Sequence, residues 1–233
     1  MEVLCIIPAR GGSKGIKRKN LVEINNLPLI TYSIKHALKS KYVTRVIVST
    51  DDEEIAKVSL KFGAEVPFIR PKELAEDHVL DLPVFKHALN YLKETENYFP
   101  DFVLHLRPTA PYRKDNWIDE CIDFFLNNED ADSLRSVSVP EKHPYRMFQI
   151  DDFGFLKSIM LHEHNQPYLL RRQDLPLVYF YNCVIDLTKP STIFNLDSMT
   201  GNKILPYIMN AEEVFDIDTI QDLKIAELFL KKL

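Results

Sequence analysis

The residues best suited to chemistry follow a short apolar strand, Val3–Ile7, in a loop rich in glycine and positive charge. Three of the six glycines in the chain, Gly11, Gly12 and Gly15, lie in this loop. The cations around them are Arg10, Lys14, Lys17, Arg18 and Lys19. Glycine lets backbone N–H groups approach a ligand closely, and the cations neutralise its charge. The loop therefore predicts a polyphosphate site, with a solvated basic turn as the alternative.

A pair of carboxylates, Asp216 and Asp218, predicts a metal site. In an extended segment, residues two apart point to the same side, so both carboxylates face one cation while Ile217 faces the core. Magnesium prefers a few carboxylates together with phosphate oxygens and water. The alternative is that these acids cap the helix that follows. Asp51 and Asp52 are interpreted mainly as a cap for a helix beginning near residue 53.

Alternating strand and helix patterns over the first 135 residues position these loops. Strands are predicted at 3–7, 45–49, 66–69 and 102–106, and helices at 29–39, 53–62, 82–95 and 116–127. Strands separated by helices of this length predict βαβ units and a parallel sheet. Ligands of such sheets bind beyond the carboxyl ends of the strands. Both the loop at 8–20 and Arg107 lie at such ends.

From Val137 to about Tyr181 the chain becomes richer in proline, histidine and aromatic residues and loses this alternation. We interpret the segment as an antiparallel excursion from the sheet, with a turn at 152–154. Its aromatic side chains suit packing on a second subunit, and packing within one chain is the alternative. A strand at 178–187 and an amphipathic helix from Ile217 onward complete the prediction.

Composition excludes several classes of protein. The formal net charge is −5, and no extended basic face offsets it, which argues against a nucleic-acid partner. The absence of a leader and of an apolar run near ~20 residues predicts a cytoplasmic protein with no membrane segment. The chain has three cysteines, Cys5, Cys121 and Cys183, which lie far apart in the sequence. An odd number of widely spaced cysteines favours free thiols. His162 and His164 form an H-x-H pair that we do not interpret as a metal site.

Two motifs carry a family resemblance. The string Ala9-Arg10-Gly11-Gly12-Ser13-Lys14-Gly15-Ile16-Lys17-Arg18-Lys19-Asn20 resembles the signature of the CMP-sialic acid synthetases, the N-acylneuraminate cytidylyltransferases. The segment Asp216-Ile217-Asp218-Thr219, with Asp222-Leu223, is similar to the closing motif of the same family. The resemblance implies a Rossmann-like α/β nucleotidyltransferase fold, with a mostly parallel sheet flanked by helices. It also implies one domain over residues 1–233, with a small dimerisation arm inserted at about 138–180.

The activity implied by the resemblance is the reaction of CTP with a nonulosonic acid to give the CMP-sugar and pyrophosphate, with Mg²⁺ as cofactor and a homodimer as the assembly. The implied catalytic residues are Arg10, Lys19 and Asp218, and the implied metal ligands are Asp216 and Asp218. The implied nucleotide-binding residues are Ala9, Arg10, Gly11, Gly12, Ser13, Lys19, Asn20, Arg70 and Asp77. The candidate sugar-binding residues are Arg107, His143, Arg146, Arg172, Gln173, Tyr179 and Phe180.

The chain departs from the family pattern where substrate selectivity is expected. Arg107 stands where sialate enzymes usually have glutamine, and Asn182-Cys183-Val184 stands where the pattern is close to Asn-Gly-Ala. These departures favour legionaminic, pseudaminic or another bacterial nonulosonic acid over N-acetylneuraminate. The alternatives are a Kdo cytidylyltransferase, a guanylyl-transferring relative and a non-catalytic nucleotide-sugar sensor. The glycine loop argues against the Kdo enzyme, and the combined phosphate and metal motifs argue against the sensor.

Overall fold

Strands and helices alternate along the chain in the computed structural model, which describes residues 1–160 and 163–231. The strands are β1 Val3–Pro8, β2 Glu23–Ile24, β3 Leu27–Pro28, β4 Val43–Ser49, β5 Phe102–His105, β6 Ser133–Ser138, β7 Phe148–Ile150, β8 Leu156–Ser158, β9 Phe180–Thr188 and β10 Ile204–Ile208. The α-helices are α1 Leu29–Lys39, α2 Glu53–Lys61, α3 Asp81–Glu96, α4 Trp117–Leu126, α5 Pro190–Asn195 and α6 Ile220–Leu230.

Six of these strands form one sheet in the order β10-β6-β9-β5-β1-β4. β1 is parallel to β4 and β5, and β6 is parallel to β10. β9 is antiparallel to both β5 and β6, because the chain re-enters the sheet from the edge at which the parallel strands end. The predicted α/β fold with a mostly parallel sheet flanked by helices is confirmed.

The apolar run of β1 is buried on both faces of the sheet. Val3, Cys5 and Ile7 pack with α1, α2 and α4, whereas Leu4 and Ile6 pack with α3 and α5 on the opposite face. Parallel strands covered on both sides by helices have no polar face, so their sequences lack alternation. The cysteines are free, and Cys5 and Cys121 are buried in this core.

Parts of the prediction differ from the structure. The predicted strand at 66–69 is absent; the residue before it, Glu65, forms one isolated bridge with Ile47 of β4. Pro67 lacks an N–H group and cannot extend a ladder. The sequence pattern does not predict β6, α5 or β10, which are short elements without a clear boundary to the neighbouring loops.

Between β6 and β9 the chain leaves the sheet and forms the antiparallel hairpin β7–β8. The predicted turn at 152–154 is confirmed, and Gly154 has the positive φ of 85° that such a turn needs. The hairpin exposes large apolar side chains, among them Phe153 at 85% and Phe155 at 70%.

Candidate active site

A cavity of about 290 Å³ opens where β1 and β5 end. It gathers seven of the residues predicted from the sequence to bind substrate, namely Arg10, Ser13, Lys19, Asn20, Arg70, Asp77 and Arg107. These residues are separated by up to 97 positions but come from loops at the same edge of the sheet. The arrangement follows from parallel strands, whose carboxyl ends all meet at one edge.

Two adjacent aspartates after β4 shape the glycine loop. The N–H of Gly11 donates to Asp51 Oδ1 at 2.9 Å. Asp52 is the N-cap of α2 and accepts from the N–H groups of Glu54 and Ile55. Its Oδ1 also pairs with Arg18 at 3.0 Å, and Arg18 itself has a left-handed φ of 54°. The predicted capping role is therefore confirmed for Asp52, and Asp51 supports the loop directly.

The cations of the loop meet a carboxylate at the mouth of the cavity. Arg10 Nη1 lies 2.6 Å from Asp77 Oδ1, and Lys14 Nζ lies 2.5 Å from Asp77 Oδ2. Hydrogen bonds from Lys14 and then from Arg10 hold the pKa of Asp77 below its usual value. Without a ligand, one carboxylate thus neutralises two groups that the sequence assigns to phosphate.

Lys19 joins the first motif of the chain to the last. Its Nζ donates to Ile217 O at 2.9 Å and to Asp218 Oδ1 at 3.1 Å. The two backbones also approach closely at Gly15, where an added Cβ would lie 2.7 Å from Asp218 O. Ile217 N–H in turn donates to Thr109 O at 2.9 Å, so three loops converge on this segment.

Asp216 and Asp218 are exposed on either side of Ile217, which is fully buried. The capping alternative does not apply to them, because Thr219 and Asp222 form the capping box of α6. Over residues 1–160 and 163–231, no cluster of three or more His, Cys, Asp or Glu side chains is placed to hold a metal ion. Two carboxylates with open neighbouring positions are nevertheless a donor set that Mg²⁺ accepts when phosphates complete it.

Arg70 and Asn20 are largely buried and help to form the cavity wall. Arg70 donates to Ser49 through Nε, at 3.0 Å to Oγ, and through Nη2 to the carbonyl. Burial lowers the pKa of Arg70 to about 10, so it stays charged at neutral pH. Asn20 Nδ2 donates to Arg10 O at 3.0 Å and thereby fixes the start of the loop.

Sequence reasoning missed a buried polar network beneath the cavity. Arg113 is 1% exposed and donates to the carbonyls of Val184, Ala110 and Arg107 and to Ser33 Oγ. It clamps the loop after β5 onto β9 and α1. Burial lowers its pKa to about 10. An arginine six residues after Arg107 carries no periodic signal, so only packing reveals this role.

Asn182 lies in β9 where the register with β6 shifts. Its side chain accepts from Ser136 Oγ at 2.6 Å and donates to Ser138 Oγ at 2.8 Å. The following residue, Cys183, has a φ of 61°, a conformation that normally favours glycine. The resemblance places glycine in the family pattern here, and this positive φ supplies the physical reason.

The structure does not bring the other sugar-side candidates to this cavity. His143, Arg146, Arg172, Gln173 and Tyr179 lie between β6 and β9, and Phe180 begins β9. Three of their side chains contact carbonyls of the same segment: His143 donates through Nε2 to Pro176 O at 3.0 Å, Arg146 to Leu170 O at 2.7 Å and Arg172 to Pro140 O at 3.0 Å. His162 of the H-x-H pair lies outside the described residues.

The fold and the cationic cavity at the carboxyl ends of its strands define an α/β nucleotide-binding protein. A sequence model described as "Cytidylyltransferase" matches residues 4–201. The chain therefore belongs to the cytidylyltransferase family, and both the predicted family and the predicted class of enzyme are confirmed.

Curated relatives match almost the whole chain. It is 35% identical to post-translational flagellin modification protein B of Campylobacter coli, covering 99% of this chain and 96% of the relative. It is 32% identical to pseudaminic acid cytidylyltransferase of Campylobacter jejuni, covering 99% and 97%. It is 34% identical to CMP-N,N'-diacetyllegionaminic acid synthase of the same species, covering 98% and 95%.

Solved structures share the fold at low sequence identity. A CMP:2-keto-3-deoxy-manno-octonic acid synthetase complexed with CTP matches with a TM-score of 0.72 and 16% identity, covering 100% of both chains. A cytidylyltransferase from Leptospira borgpetersenii matches with a TM-score of 0.66 and 18% identity, covering 100% of this chain and 88% of the other. At these identities the likeness establishes the fold alone.

Proposed function

We propose that this protein transfers CMP from CTP to a nonulosonic acid and releases pyrophosphate. The observation that carries the proposal is the cavity, in which Arg10, Lys19, Asn20 and Arg70 converge at the carboxyl edge of the sheet. The acceptor class is taken from the relatives, which are named for pseudaminic and diacetyllegionaminic acids. The replacement of glutamine by Arg107 favours such an acid over N-acetylneuraminate.

The cations of the glycine loop position the triphosphate. Arg10 and Lys19 bind its oxygens and neutralise the charge that develops as pyrophosphate leaves. The N–H of Gly11 already donates a hydrogen bond to Asp51, so the N–H groups of Gly12 and Ser13 bind phosphate. Asn20, Arg70 and the segment after Asp77 contact the cytidine. The anomeric hydroxyl of the acid then attacks the α-phosphorus in line, a step that depends on positioning and charge neutralisation.

Asp216 and Asp218 are the residues that would hold Mg²⁺. Both carboxylates are exposed beside the buried Ile217, which fits the ion, whose remaining ligands are phosphate oxygens and water. When bound, Mg²⁺ neutralises phosphate charge beside the acceptor. Lys19 keeps Asp218 close to the glycine loop.

We propose further that residues 1–233 form one domain, and that the segment at about 138–180 is an arm that pairs two copies into a homodimer. The apolar side chains exposed on the hairpin β7–β8 support this assembly, since Ile150, Phe153, Phe155 and Leu156 are each at least 69% exposed. In the dimer, the arm carries His143, Arg146, Arg172 and Gln173 towards the partner's cavity, where the two arginines bind the carboxylate of the acid.

We assign the reaction to the cytoplasm, where CTP is available and the three cysteines remain free thiols. No helix among residues 1–160 and 163–231 is both long enough and apolar enough to span a bilayer.

Pyrophosphate release tests the proposal, with CTP, Mg²⁺ and a panel of pseudaminic, legionaminic, N-acetylneuraminic and Kdo acids. Release with a nonulosonic acid, together with a CMP-sugar of matching mass, is the expected result. Release with Kdo alone would identify the octonic-acid enzyme instead. CTP binding without release from any acid would identify a sensor, and release with GTP alone would identify a guanylyltransferase.

A further inference from the structure

One side of the cavity holds an arginine whose two guanidinium ends are both engaged. Arg107 Nη1 lies 2.6 Å from Asp186 Oδ2, and Nη2 lies 3.0 Å from Asp81 Oδ2. The hydroxyl of Tyr181 donates to the same oxygen of Asp186, and the Tyr181 ring lies 5.6 Å from the guanidinium carbon. These contacts fix the plane of the guanidinium at the cavity wall.

The anchor of this arrangement belongs to the rigid sheet. Asp186 is fully buried on β9 and pairs in register with His105 on β5 and Arg135 on β6. A carboxylate held by two neighbouring strands moves little, so the orientation that it imposes on Arg107 is preorganised. Arg107 is only partly covered, with 21% of its side chain exposed, and it lines the cavity together with Asp81.

A second observation is a buried histidine in the cavity wall. His105 lines the cavity and is 2% exposed, yet neither ring nitrogen has a hydrogen-bond partner among the described residues. Its Nδ1 lies 3.7 Å from Asp186 and 3.9 Å from Asp81, both too long for a hydrogen bond. Buried polar atoms of this kind normally receive a partner from a ligand or from water.

The local charge determines which ligand group fits. Arg107 faces the carboxylates of Asp81 and Asp186, and Arg135 Nε also lies 3.6 Å from Asp186 Oδ1. Burial lowers the pKa of His105 and keeps it neutral. Asp81 is 43% exposed and would repel an incoming carboxylate. An uncharged group with one acceptor and one donor fits instead, because it accepts from an N–H of Arg107 and donates to an oxygen of Asp81. An acylamino group has this pair in its C=O and N–H.

We propose that Arg107 and Asp81 form a subsite for an acylamino group of the acceptor acid, rather than for its carboxylate, with Asp186 as the positioning residue that orients Arg107. This inference rests on the proposed function and deepens it. It explains why an arginine serves at a position where a neutral amide is usual: the neighbouring aspartates neutralise the charge of Arg107, and its N–H groups remain as directional donors.

Asp81→Asn distinguishes a subsite for an acylamino group from one for the carboxylate, because the two assignments predict opposite changes in the affinity for the acid. Two acceptors are compared, a diacetamido nonulosonic acid and the analogue with hydroxyls in place of the acetamido groups. We expect kcat/KM for the diacetamido acid to fall at least ~10-fold, and that for the hydroxyl analogue to fall less than ~3-fold. If Arg107 bound the carboxylate, removing the charge of Asp81 would lower KM for both acids. That result would overturn the proposal.

Tyr181→Phe tests the positioning role without removing a buried charge. It deletes one hydrogen bond to Asp186, and we expect a smaller loss of the same selectivity, about 3-fold, with the KM for CTP within ~2-fold of wild type. An equal loss for both acids would mean that Asp186 supports only the fold. Tyr181→Phe is used in place of Asp186→Asn, because Asp186→Asn would remove a fully buried charge.

Arg45 provides a matched control for Arg107→Gln. Arg45 lies between Glu65 and Glu96 and over the ring of Tyr98, but at the start of β4, away from the cavity. Arg45→Gln should leave the ratio of the two acids unchanged, whereas Arg107→Gln should lower it at least ~10-fold. Equal effects of the two substitutions would contradict the assignment.

Calorimetric titration with CTP separates this inference from the proposed function. If the wild type releases no pyrophosphate from any acid, the function is wrong. The titration still tests the subsite, because Arg107→Gln and Asp81→Asn should leave the Kd for CTP within ~2-fold of wild type. An increase beyond ~5-fold in either variant would place the pair on the nucleotide and overturn the proposal.

Discussion

Gly15→Ala is the sharpest test of how the two ends of the chain build one site. A Cβ at residue 15 would lie 2.7 Å from Asp218 O, whereas ordinary contacts begin near 3.4 Å. Gly15 does not have a positive φ, so the effect is steric rather than conformational. The obstructing atom is a backbone oxygen in a segment held by Thr109, and the loop and this segment must therefore separate.

A separation of about 0.7 Å is enough to break the contacts of Lys19. Its bonds of 2.9 Å to Ile217 O and 3.1 Å to Asp218 Oδ1 would both pass the usual hydrogen-bond limit. Overpacking of this kind costs about 1–3 kcal/mol. For a chain of this size, each kcal/mol lowers Tm by about 2–4 °C. A misplacement approaching ~1 Å costs on the order of 100-fold in rate, so we expect kcat to fall about 10- to 100-fold.

The assay combines thermal unfolding with steady-state pyrophosphate release over a range of Mg²⁺ concentrations. We expect a lower Tm, a lower kcat and a higher concentration of Mg²⁺ for half-maximal rate, because Asp218 moves with its backbone. Gly12→Ala is the structural control, since a Cβ there meets nothing within 4 Å and Tm should stay near that of wild type. Wild-type Tm, kcat and Mg²⁺ dependence in Gly15→Ala would refute the reasoning.

Three further predictions address the metal site, the buried clamp and pH. Asp218→Ala should lower kcat at least ~100-fold and leave Tm nearly unchanged, because this carboxylate is exposed; a near-normal rate in saturating Mg²⁺ would reject the metal assignment. Arg113→Met should lower the free energy of unfolding by about 3 kcal/mol or more in urea, since it strands buried carbonyls; a loss below ~1 kcal/mol would show that Arg113 is no clamp. Burial lowers the pKa of His36 to about 4, so the folded state binds fewer protons than the unfolded state. The contribution of His36 to stability is then full above pH ~6.5 and falls by roughly 2–3 kcal/mol towards pH 4. His36→Gln should remove this part of the pH dependence and leave the part due to His105, whose pKa burial also lowers.

The sequence predicted the frame of the fold because the frame depends on local pattern. The helix α1 begins and ends at the predicted residues, and α3 differs by one residue at each end. Strand β1 was predicted from an apolar run, and that run is apolar because both faces of the sheet are covered. The segment at 66–69 was predicted wrongly: Phe68 is apolar because it packs in the core, and Pro67 has no N–H group with which to extend a ladder.

The glycine loop, the paired aspartates and the edge of the sheet at which they lie follow from residue type and from the alternation of strands and helices along the chain. The partners that these side chains meet depend on the tertiary structure. Lys19 contacts Asp218 across 199 positions, and Arg107 is fixed by Asp186 across 79. Such contacts depend on the order of the strands in the sheet and on burial, which bring distant segments within hydrogen-bond reach. No local sequence pattern predicts them.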